Sequence, residues 1–416
     1  MSSAPPASPA ARLRSLDAFR GFAMFLMAAE LLNLPRVASH FPDSAFWQAI
    51  AYHAEHVAWR GGSLHDLIQP FFSFMVGVAV PFSVASRLAR GQSRRAMWAH
   101  ACGRSVLLVL LGVFLRSMNK PITNWTFEDT LSQIGLGYPL LFLLGFASPK
   151  IRWAALGALL VGYWLFFVGF PLPGPDFKDA AANISPNWAH HFSGFAAHWN
   201  LNRNAAWAFD VWFLNLFPRV SPFMGNGGGY STLSFIPTLA TMLLGLIAGA
   251  WMREASTGGA TDRPAAAPAP PLGTAGPRRG TVRLMAAGVA GLTLAELLDA
   301  TGICPVVKKL WTPAWVLWSG GWCFLFMAAF YHFVDQRGWN RAAFPLVVIG
   351  MNSLAMYVMA ETIAGFFAKA LYTHFGKAPF LVLGENFAPL LHGGSVLFLL
   401  WLILFWMHRR KLWLRL

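Results

Sequence analysis

Long apolar stretches recur along this chain, and they constrain its fold more strongly than any other feature of the sequence. A helix needs ~20 residues to cross the hydrocarbon core of a bilayer. Ten stretches approach that length, at roughly 16–34, 67–86, 99–118, 131–148, 152–171, 233–252, 283–300, 313–333, 343–363 and 389–407. Only helices and closed barrels satisfy their backbone within lipid, and no barrel-type alternation is present. The sequence therefore predicts an all-α polytopic membrane protein of about ten helices.

Composition agrees with a membrane protein and argues against two other classes. Hydrophobic residues make up 56% of the 416-residue chain and charged residues only 12%, about half the charged share of a typical soluble domain. A disordered chain is thereby excluded, and a soluble enzyme is disfavoured because it could not bury so many apolar side chains. The three cysteines, Cys102, Cys304 and Cys323, have no CxxC spacing, so neither a disulfide framework nor a cysteine metal site is expected.

Basic residues outnumber acidic ones, 32 to 17, and give the chain a net charge of +15. In a soluble protein this surplus would suggest nucleic acid as a partner. In a membrane protein, cytoplasmic loops are enriched in Lys and Arg, and an even number of helices places both termini on one side. With that side cytoplasmic, 21 basic residues lie inside and 11 outside. We therefore predict an N-in, C-in topology, with membrane lipids as partners and no nucleic acid.

The loops divide the chain into segments of different kinds. These are a disordered Pro/Ala/Ser-rich tail at 1–11, a six-helix portion at 12–252, a flexible Ala/Pro/Gly-rich cytoplasmic linker at 253–282 and a four-helix portion at 283–416. Two outer loops interrupt the first portion, at 35–66 and 172–232. The second loop is rich in Trp, His and Asn, which fits either a lid over a sugar site or an interfacial aromatic belt.

Polar side chains at membrane depth are energetically expensive, so each is a candidate functional residue. Glu30 and Asn33 lie near the end of the first predicted helix. The outer loop that follows gathers imidazoles and carboxylates within a short stretch, namely His53, Glu55, His56, His65 and Asp66. The ninth predicted helix carries Asn352, Ser353 and Tyr357. A buried amide such as Asn352 needs a partner, which could be a pantetheine chain or another helix.

The histidine-rich loop could serve two kinds of chemistry, metal binding or general-base catalysis. His53 and His56 are three residues apart and could share a helix face, but this spacing matches no standard zinc pattern, so no metal is expected. A general base needs an imidazole that titrates near neutral pH beside a group that orients it. Any of the last three histidines of the loop could be that base, with Glu55, Asp66 or Glu30 as the orienting carboxylate. The residue types alone do not choose among them.

Five blocks of the sequence, taken in order, resemble the heparan-α-glucosaminide N-acetyltransferase family. RLRSLDAFRG at 12–21 is similar to the family's RLxSLDxxRG opening. The stretch 56–77, which runs from HVAWRG to DLIQPFFSFMVG, is similar to its HxxWxG…DLxxPxFxFxxG segment. The remaining blocks are STL at 231–233 with IPTLAT at 236–241, KKLWTP at 308–313, and GMNS at 350–353 with Tyr357.

The resemblance implies acetyl transfer from cytosolic acetyl-CoA to the amino group of a glucosamine-type sugar on the far side of the membrane. It places the family's active histidine at His56, as general base or acetyl carrier, and the predicted topology puts His56 outside. Asp66 and Glu30 are the carboxylates that we expect beside it. The expected location is a bacterial inner membrane, with the acceptor on the periplasmic side, and a homodimer is compatible with the sequence.

Binding residues can be proposed on the same basis. The candidates for substrate binding are Asn33, Trp59, Asn352, Ser353 and Tyr357. The candidates for holding the CoA phosphates are three inner-side arginines, because guanidinium groups bind phosphate well; these are Arg14, Arg20 and Arg104.

The chain departs from the family pattern at two places near the expected acceptor side. The family's first-helix Asn is absent after Met27, so Glu30 or Asn33 must take its role, and GNGGGY at 225–230 replaces the usual Asp-Pro-Glu-Gly. An O- or N-acyltransferase acting on a cell-envelope glycan or its lipid-linked precursor is therefore an alternative. A secondary transporter is another, although the two halves show no matching pair of Gly/Pro-broken helices.

Overall fold

The computed structural model describes residues 13–174, 176–256 and 275–414. Over these ranges the chain is helical and contains two isolated β-bridges but no strand, which confirms the predicted all-α class. The predicted tail at 1–11 and residues 257–274 of the predicted linker lie outside the described residues. The flanking parts of that linker, 253–256 and 275–282, belong to helices.

Fifteen α-helices, with short 3₁₀ turns between some of them, make up the described ranges. In chain order they are α1 (Arg14–Ala28), α2 (Leu34–Ala38), α3 (Ala45–Ala54), α4 (Ile68–Ala89), α5 (Arg94–Ser117), α6 (Thr130–Leu144), α7 (Pro149–Val168), α8 (Ala205–Leu214), α9 (Phe235–Ser256), α10 (Ala275–Ala300), α11 (Pro313–Phe330), α12 (Asn340–Met351), α13 (Ser353–Thr362), α14 (Ala364–Phe375) and α15 (Ala388–Arg409). A π-helical turn, Tyr331–Gln336, extends α11.

Seven helical segments of the described chain are long and apolar enough to cross a membrane, so the protein is a polytopic membrane protein. They contain α4, α5, α7, α9, α10, α11 and α15. Helices α12 and α13 would form one further span, but they are bent by 68° with respect to each other. The prediction of one continuous helix at 343–363 is therefore wrong.

The two remaining predicted spans correspond to short helices. Helices α1 and α6 have 15 residues each, which gives about 22 Å at 1.5 Å per residue. A hydrocarbon core is ~30 Å thick, so neither helix crosses it without its flanking residues. The total of ten spans therefore remains a prediction.

Glycine residues allow α4 and α9 to touch through their backbones. A Cβ atom at Gly77 would lie 1.8 Å from Met242 O, and one at Gly245 would lie 1.9 Å from Phe74 O. Any side chain at these positions would force the helices apart. This close packing holds α4, whose N-terminal end carries the candidate site, against the most buried helix of the bundle.

The loops gather at two opposite ends of α1. Near its C-terminal end, the 55–64 loop meets the 301–312 segment, where Gly61 N donates a hydrogen bond to Val306 O at 2.9 Å. At its N-terminal end, Arg14 N donates to Asp335 Oδ1 at 3.0 Å. In these two contacts, a pair of segments predicted to lie outside is at one end of α1 and a pair predicted to lie inside is at the other. Which end faces the cytoplasm remains a prediction.

The 172–232 segment is a packed unit rather than a loose loop. Trp199 is completely buried in it. Asn200 both accepts from Phe192 N at 2.6 Å and donates to Phe192 O at 3.0 Å, and Asn202 donates to Ala182 O at 2.8 Å. These amides satisfy the backbone of their own segment, so their first role is structural.

Candidate active site

The candidate site lies where the loop after α3 returns to begin α4. Asp66 sits in the 3₁₀ turn His65–Leu67, which leads directly into α4. In the preceding loop, Gly61 has a φ of +94°, which favours glycine. The loop brings His56, ten residues earlier in the chain, against Asp66. Their side chains are joined by a contact of 2.8 Å between His56 Nδ1 and Asp66 Oδ1.

Asp66 is completely buried and is anchored through its second oxygen. Oδ2 accepts from Ser63 N at 3.0 Å and from Val57 N at 3.2 Å, and Ser63 Oγ lies 3.0 Å away. These contacts leave Oδ1 for His56 and for one further partner. The carboxylate therefore has a fixed orientation, as expected for a group that positions a catalytic imidazole.

That further partner is Lys308, which comes from the distant segment between α10 and α11. Its Nζ lies 3.1 Å from Asp66 Oδ1 and 3.0 Å from His56 Nδ1. The Lys308 side chain is only 6% exposed, whereas that of His56 is 44% exposed. The Lys308 ammonium is thus shielded from solvent, whereas part of the His56 imidazole remains accessible.

Thr312 fixes the segment that carries Lys308. Its hydroxyl accepts from Trp315 N at 3.2 Å, which caps α11, and it accepts from Val307 N at 3.1 Å as well. The same hydroxyl donates to Pro305 O at 2.7 Å. The backbone on the N-terminal side of Lys308 is therefore tied to the start of a rigid helix.

The two neighbours of His56 Nδ1 favour different tautomers, because the Lys308 ammonium at 3.0 Å can donate to a lone pair on Nδ1, whereas the Asp66 carboxylate at 2.8 Å can accept from a proton there. If Nδ1 carried no proton, its lone pair would face the Asp66 carboxylate at 2.8 Å, and two acceptors would repel each other. With the proton on Nδ1, the ring donates to Asp66 and leaves Nε2 with a lone pair. An imidazole in this state can accept a proton or an acyl group at Nε2.

The electrostatic environment favours a neutral His56. Burial lowers the pKa of His56, the hydrogen bond to Asp66 opposes that change, and the neighbouring Lys308 ammonium lowers the pKa further. Burial also lowers the pKa of Lys308, against the attraction of Asp66. A base that is unprotonated at neutral pH is ready to take a proton.

A second histidine–carboxylate pair adjoins the first. Glu30 Oε1 lies 3.1 Å from His65 Nε2, and the Glu30 side chain is 60% exposed. The rings of His65 and His56 have centroids 4.4 Å apart. Glu30 is thus in contact with His65, whose ring packs against that of His56. Asn33, by contrast, is an exposed residue with φ of +52° at the turn before α2.

Trp59 occupies a structural position. Its side chain is 1% exposed, its indole nitrogen donates to Trp199 O at 3.2 Å, and its ring meets Trp188 edge to face at 5.4 Å. The buried ring therefore offers no free face to a sugar in this structure. It joins the 172–232 segment to the site loop.

Asn352 lies in another part of the molecule from these contacts. It is completely buried at the break between α12 and α13, where its amide donates to Leu412 O at 3.1 Å and accepts from Leu414 N at 3.0 Å. Its partner is thus the segment after α15. Ser353 and Tyr357 are half-buried on α13, and no contact joins either of them to the His56 cluster in the described chain.

The three candidate arginines do not form one cluster. Arg14 and Arg20 are on α1, where Arg20 lies 3.8 Å from Asp17. Arg104 is on α5 and stacks over the ring of Tyr138 at 5.0 Å. The described ranges also contain no group of three His, Cys, Asp or Glu side chains arranged to hold a metal ion. The expected absence of a metal remains a prediction.

Sequence reasoning missed Lys308 as a member of the site. The residue was noticed only within the KKLWTP block, and its separation of 252 residues from His56 gave no indication of contact. A basic pair beside an apolar helix start is the one local feature that could have drawn attention to it.

Comparison with known proteins gives a distant but extensive similarity. The chain is 24% identical over 404 residues to human heparan-alpha-glucosaminide N-acetyltransferase, a match that covers 88% of this chain and 54% of that protein. It is 23% identical over 401 residues to the mouse protein of the same name, with 86% and 55% covered. The chain therefore spans about half the length of the curated relatives it matches. No family model matches it.

Proposed function

We propose that this protein is a membrane acyltransferase that moves acetyl from acetyl-CoA to the amino group of a glucosamine-type sugar. The similarity to the two N-acetyltransferases supports the reaction class. The observation that carries the proposal is the contact of 2.8 Å between His56 Nδ1 and the buried Asp66 carboxylate. It provides an oriented, partly exposed imidazole in the block that resembles the family's active segment.

The proposed reaction requires one proton acceptor. The amino group of the sugar attacks the thioester carbonyl, the carbon–sulfur bond breaks, and CoA leaves as the thiol or thiolate. His56 Nε2 takes the proton that the amine loses, and such general-base assistance contributes about 10²–10⁴ in rate. Asp66 holds the ring and stabilises the imidazolium that forms.

A two-step route uses the same residues. His56 Nε2 first attacks the thioester and carries the acetyl group, and the sugar amine then attacks the acetyl-imidazole. The two routes differ in one observable. Labelled acetyl from acetyl-CoA becomes bound to the protein without any acceptor only if His56 carries the acetyl group.

The cellular arrangement is a further part of the proposal. The basic residues support an N-in, C-in protein of ten spans in a bacterial inner membrane, with His56 on the periplasmic side. Arg14 and Arg20, at the opposite end of α1 from Glu30, would then meet CoA phosphates arriving from the cytosol. Asn352 and Tyr357 remain proposed contacts of the substrates.

One observation supports a second candidate class of acceptor, a cell-envelope glycan or its lipid-linked precursor. The family's first-helix Asn is absent after Met27, and Glu30, one residue before that position, lies 3.1 Å from His65 in this chain. An acyltransferase acting on a cell-envelope glycan, or on its lipid-linked precursor, would share the donor and the base. A panel of amino and hydroxyl acceptors separates these two classes.

The experiment measures CoA thiol release by the purified protein in detergent, with acetyl-CoA and glucosamine. We expect acceptor-dependent release that falls by about 10²–10⁴ in His56→Ala. His40→Ala is the matched control, because His40 is an exposed residue of the same loop, and it should behave as wild type. Full activity in His56→Ala would refute the assignment of the base. A wild-type protein that releases no CoA with any acceptor, but carries sugar across a membrane, would instead be a transporter.

A further inference from the structure

Lys308 is a buried cation that the proposed reaction does not itself use. Charged side chains are rarely buried unless they are paired. Lys308 is paired with Asp66, but the same Nζ also lies 3.0 Å from His56 Nδ1. A cation beside the base works against protonation of that base. Its placement therefore needs a chemical explanation.

The cation is held in place from both sides. On one side, Gly61 N donates to Val306 O at 2.9 Å. On the other, Lys309 Nζ donates to Ala58 O at 2.8 Å. The 301–312 segment is thus fastened to the loop that carries His56, and the Lys308 side chain is directed to its position by the backbone on either side of it.

We propose that Lys308 is a positioning residue for His56, whose ammonium shares Asp66 Oδ1 with the ring and, 3.0 Å from Nδ1, opposes a second positive charge on the imidazole. This inference rests on the function proposed above for its catalytic meaning. A proton added at Nε2 would create an imidazolium next to an ammonium, with one carboxylate between the two charges. Lys308 therefore keeps the base free at neutral pH and favours rapid loss of a proton or acyl group from Nε2.

Other charged groups also face His56, and they do not replace Lys308. The groups are Asp66 and His65 from the turn before α4, and Glu30 from the turn after α1. The carboxylate of Glu30 is engaged by His65, and Asp66 is the group that Lys308 shares with His56. Without Lys308, the buried carboxylate would keep a single cationic partner, a protonated His56.

Lys308→Met tests this inference because it removes the charge and keeps most of the length. The reaction of His56 with diethyl pyrocarbonate, followed by peptide mass spectrometry on the full-length protein in detergent, reports the unprotonated imidazole at each pH. We expect the titration of His56 to move upward by on the order of one to three pH units in Lys308→Met. Lys308→Arg keeps a cation there, and its titration should stay near that of wild type.

Lys377→Met is the control. Lys377 is an exposed lysine of the segment after α14, so its loss should leave the titration of His56 in place. The inference is overturned if Lys308→Met titrates as wild type does, or if Lys377→Met produces the same shift. The wild-type protein provides a test that needs no variant, since His56 should titrate below N-acetylhistidine added to the same sample.

Activity measurements separate this inference from the proposed function. In Lys308→Met, kcat/KM should recover toward the wild-type value as the pH is raised, whereas a purely structural defect would lower it at every pH. If the titration shifts but the wild-type protein transfers no acetyl group, the role of Lys308 stands and the proposed function fails. If the wild-type protein transfers acetyl but the titration of His56 does not shift in Lys308→Met, the proposed function stands and the role of Lys308 fails.

Discussion

Asp66→Asn is the substitution that tests the site most directly. Asparagine has nearly the same shape, and its carbonyl oxygen can still accept from Ser63 N and Val57 N as Oδ2 does. Its NH₂ group then takes the place of Oδ1 and faces His56 Nδ1 and Lys308 Nζ. The amide would donate to Nδ1, so the ring proton would move to Nε2 and the base would be lost.

The magnitude follows from the two contacts that Oδ1 makes. Each is a charge-assisted hydrogen bond worth about 1.5–3 kcal/mol. The contact with Lys308 is shielded from solvent, because Asp66 is 0% and Lys308 6% exposed, whereas solvent weakens the contact with His56, which is 44% exposed. Removal of one member of a buried pair leaves the other charge without a partner, at a cost of about 3–5 kcal/mol in the free energy of unfolding. Loss of the correct tautomer should lower kcat by about 10³–10⁴.

The assay combines CoA release with the Tm of the detergent-solubilised protein. Asp43→Asn is the control, since Asp43 is an exposed residue of the loop before α3. Adding Lys308→Met to Asp66→Asn removes the unpaired cation, so the Tm should recover while activity does not. An Asp66→Asn protein within tenfold of wild-type activity, with an unchanged Tm, would refute the reasoning.

Three further outcomes are expected. Gly245→Ala should lower the Tm, because its Cβ would lie 1.9 Å from Phe74 O and overpacking costs about 1–3 kcal/mol; Gly103→Ala, with open space around it, should not. Glu30→Gln should raise KM for a cationic amino sugar and leave KM for acetyl-CoA unchanged, as steady-state kinetics with each substrate varied would show. Asn352→Ala removes two hydrogen bonds to the C-terminal segment, and the Tm should fall by an amount that corresponds to about 1–3 kcal/mol.

The helices could be predicted from the sequence because hydropathy acts locally. The apolar stretch at 67–86 becomes α4, Ile68–Ala89, and the stretch at 233–252 becomes α9, Phe235–Ser256. The break at Asn352 could not be predicted in the same way. Its amide is satisfied by residues 60 and 62 positions away, and a sliding window contains no information about such partners.

The site shows the same division between local and distant information. The sequence narrowed the base to a few histidines, and the resemblance selected His56. Choosing Asp66 over Glu55 as the partner depended on the hydrogen bonds that Asp66 accepts from Ser63 N and Val57 N. Lys308 could not be predicted as a site residue from the sequence. Its segment is positioned by the cap of α11 and by contacts with a loop about 250 residues earlier.

Helix α1 separates the proposed binding site for acetyl-CoA from the proposed base, His56. This helix rises about 22 Å between Arg14, whose backbone binds Asp335, and the turn with Glu30, which binds His65. If the CoA phosphates bind at the Arg14 end, the thioester must reach His56 through the interior of the bundle, and transfer crosses the membrane. If they bind at the His56 end, both substrates approach from one side. Acetyl-CoA does not cross lipid, so sealed vesicles of each orientation with donor added outside distinguish the two: the proposal requires activity only where the Arg14 end faces outward.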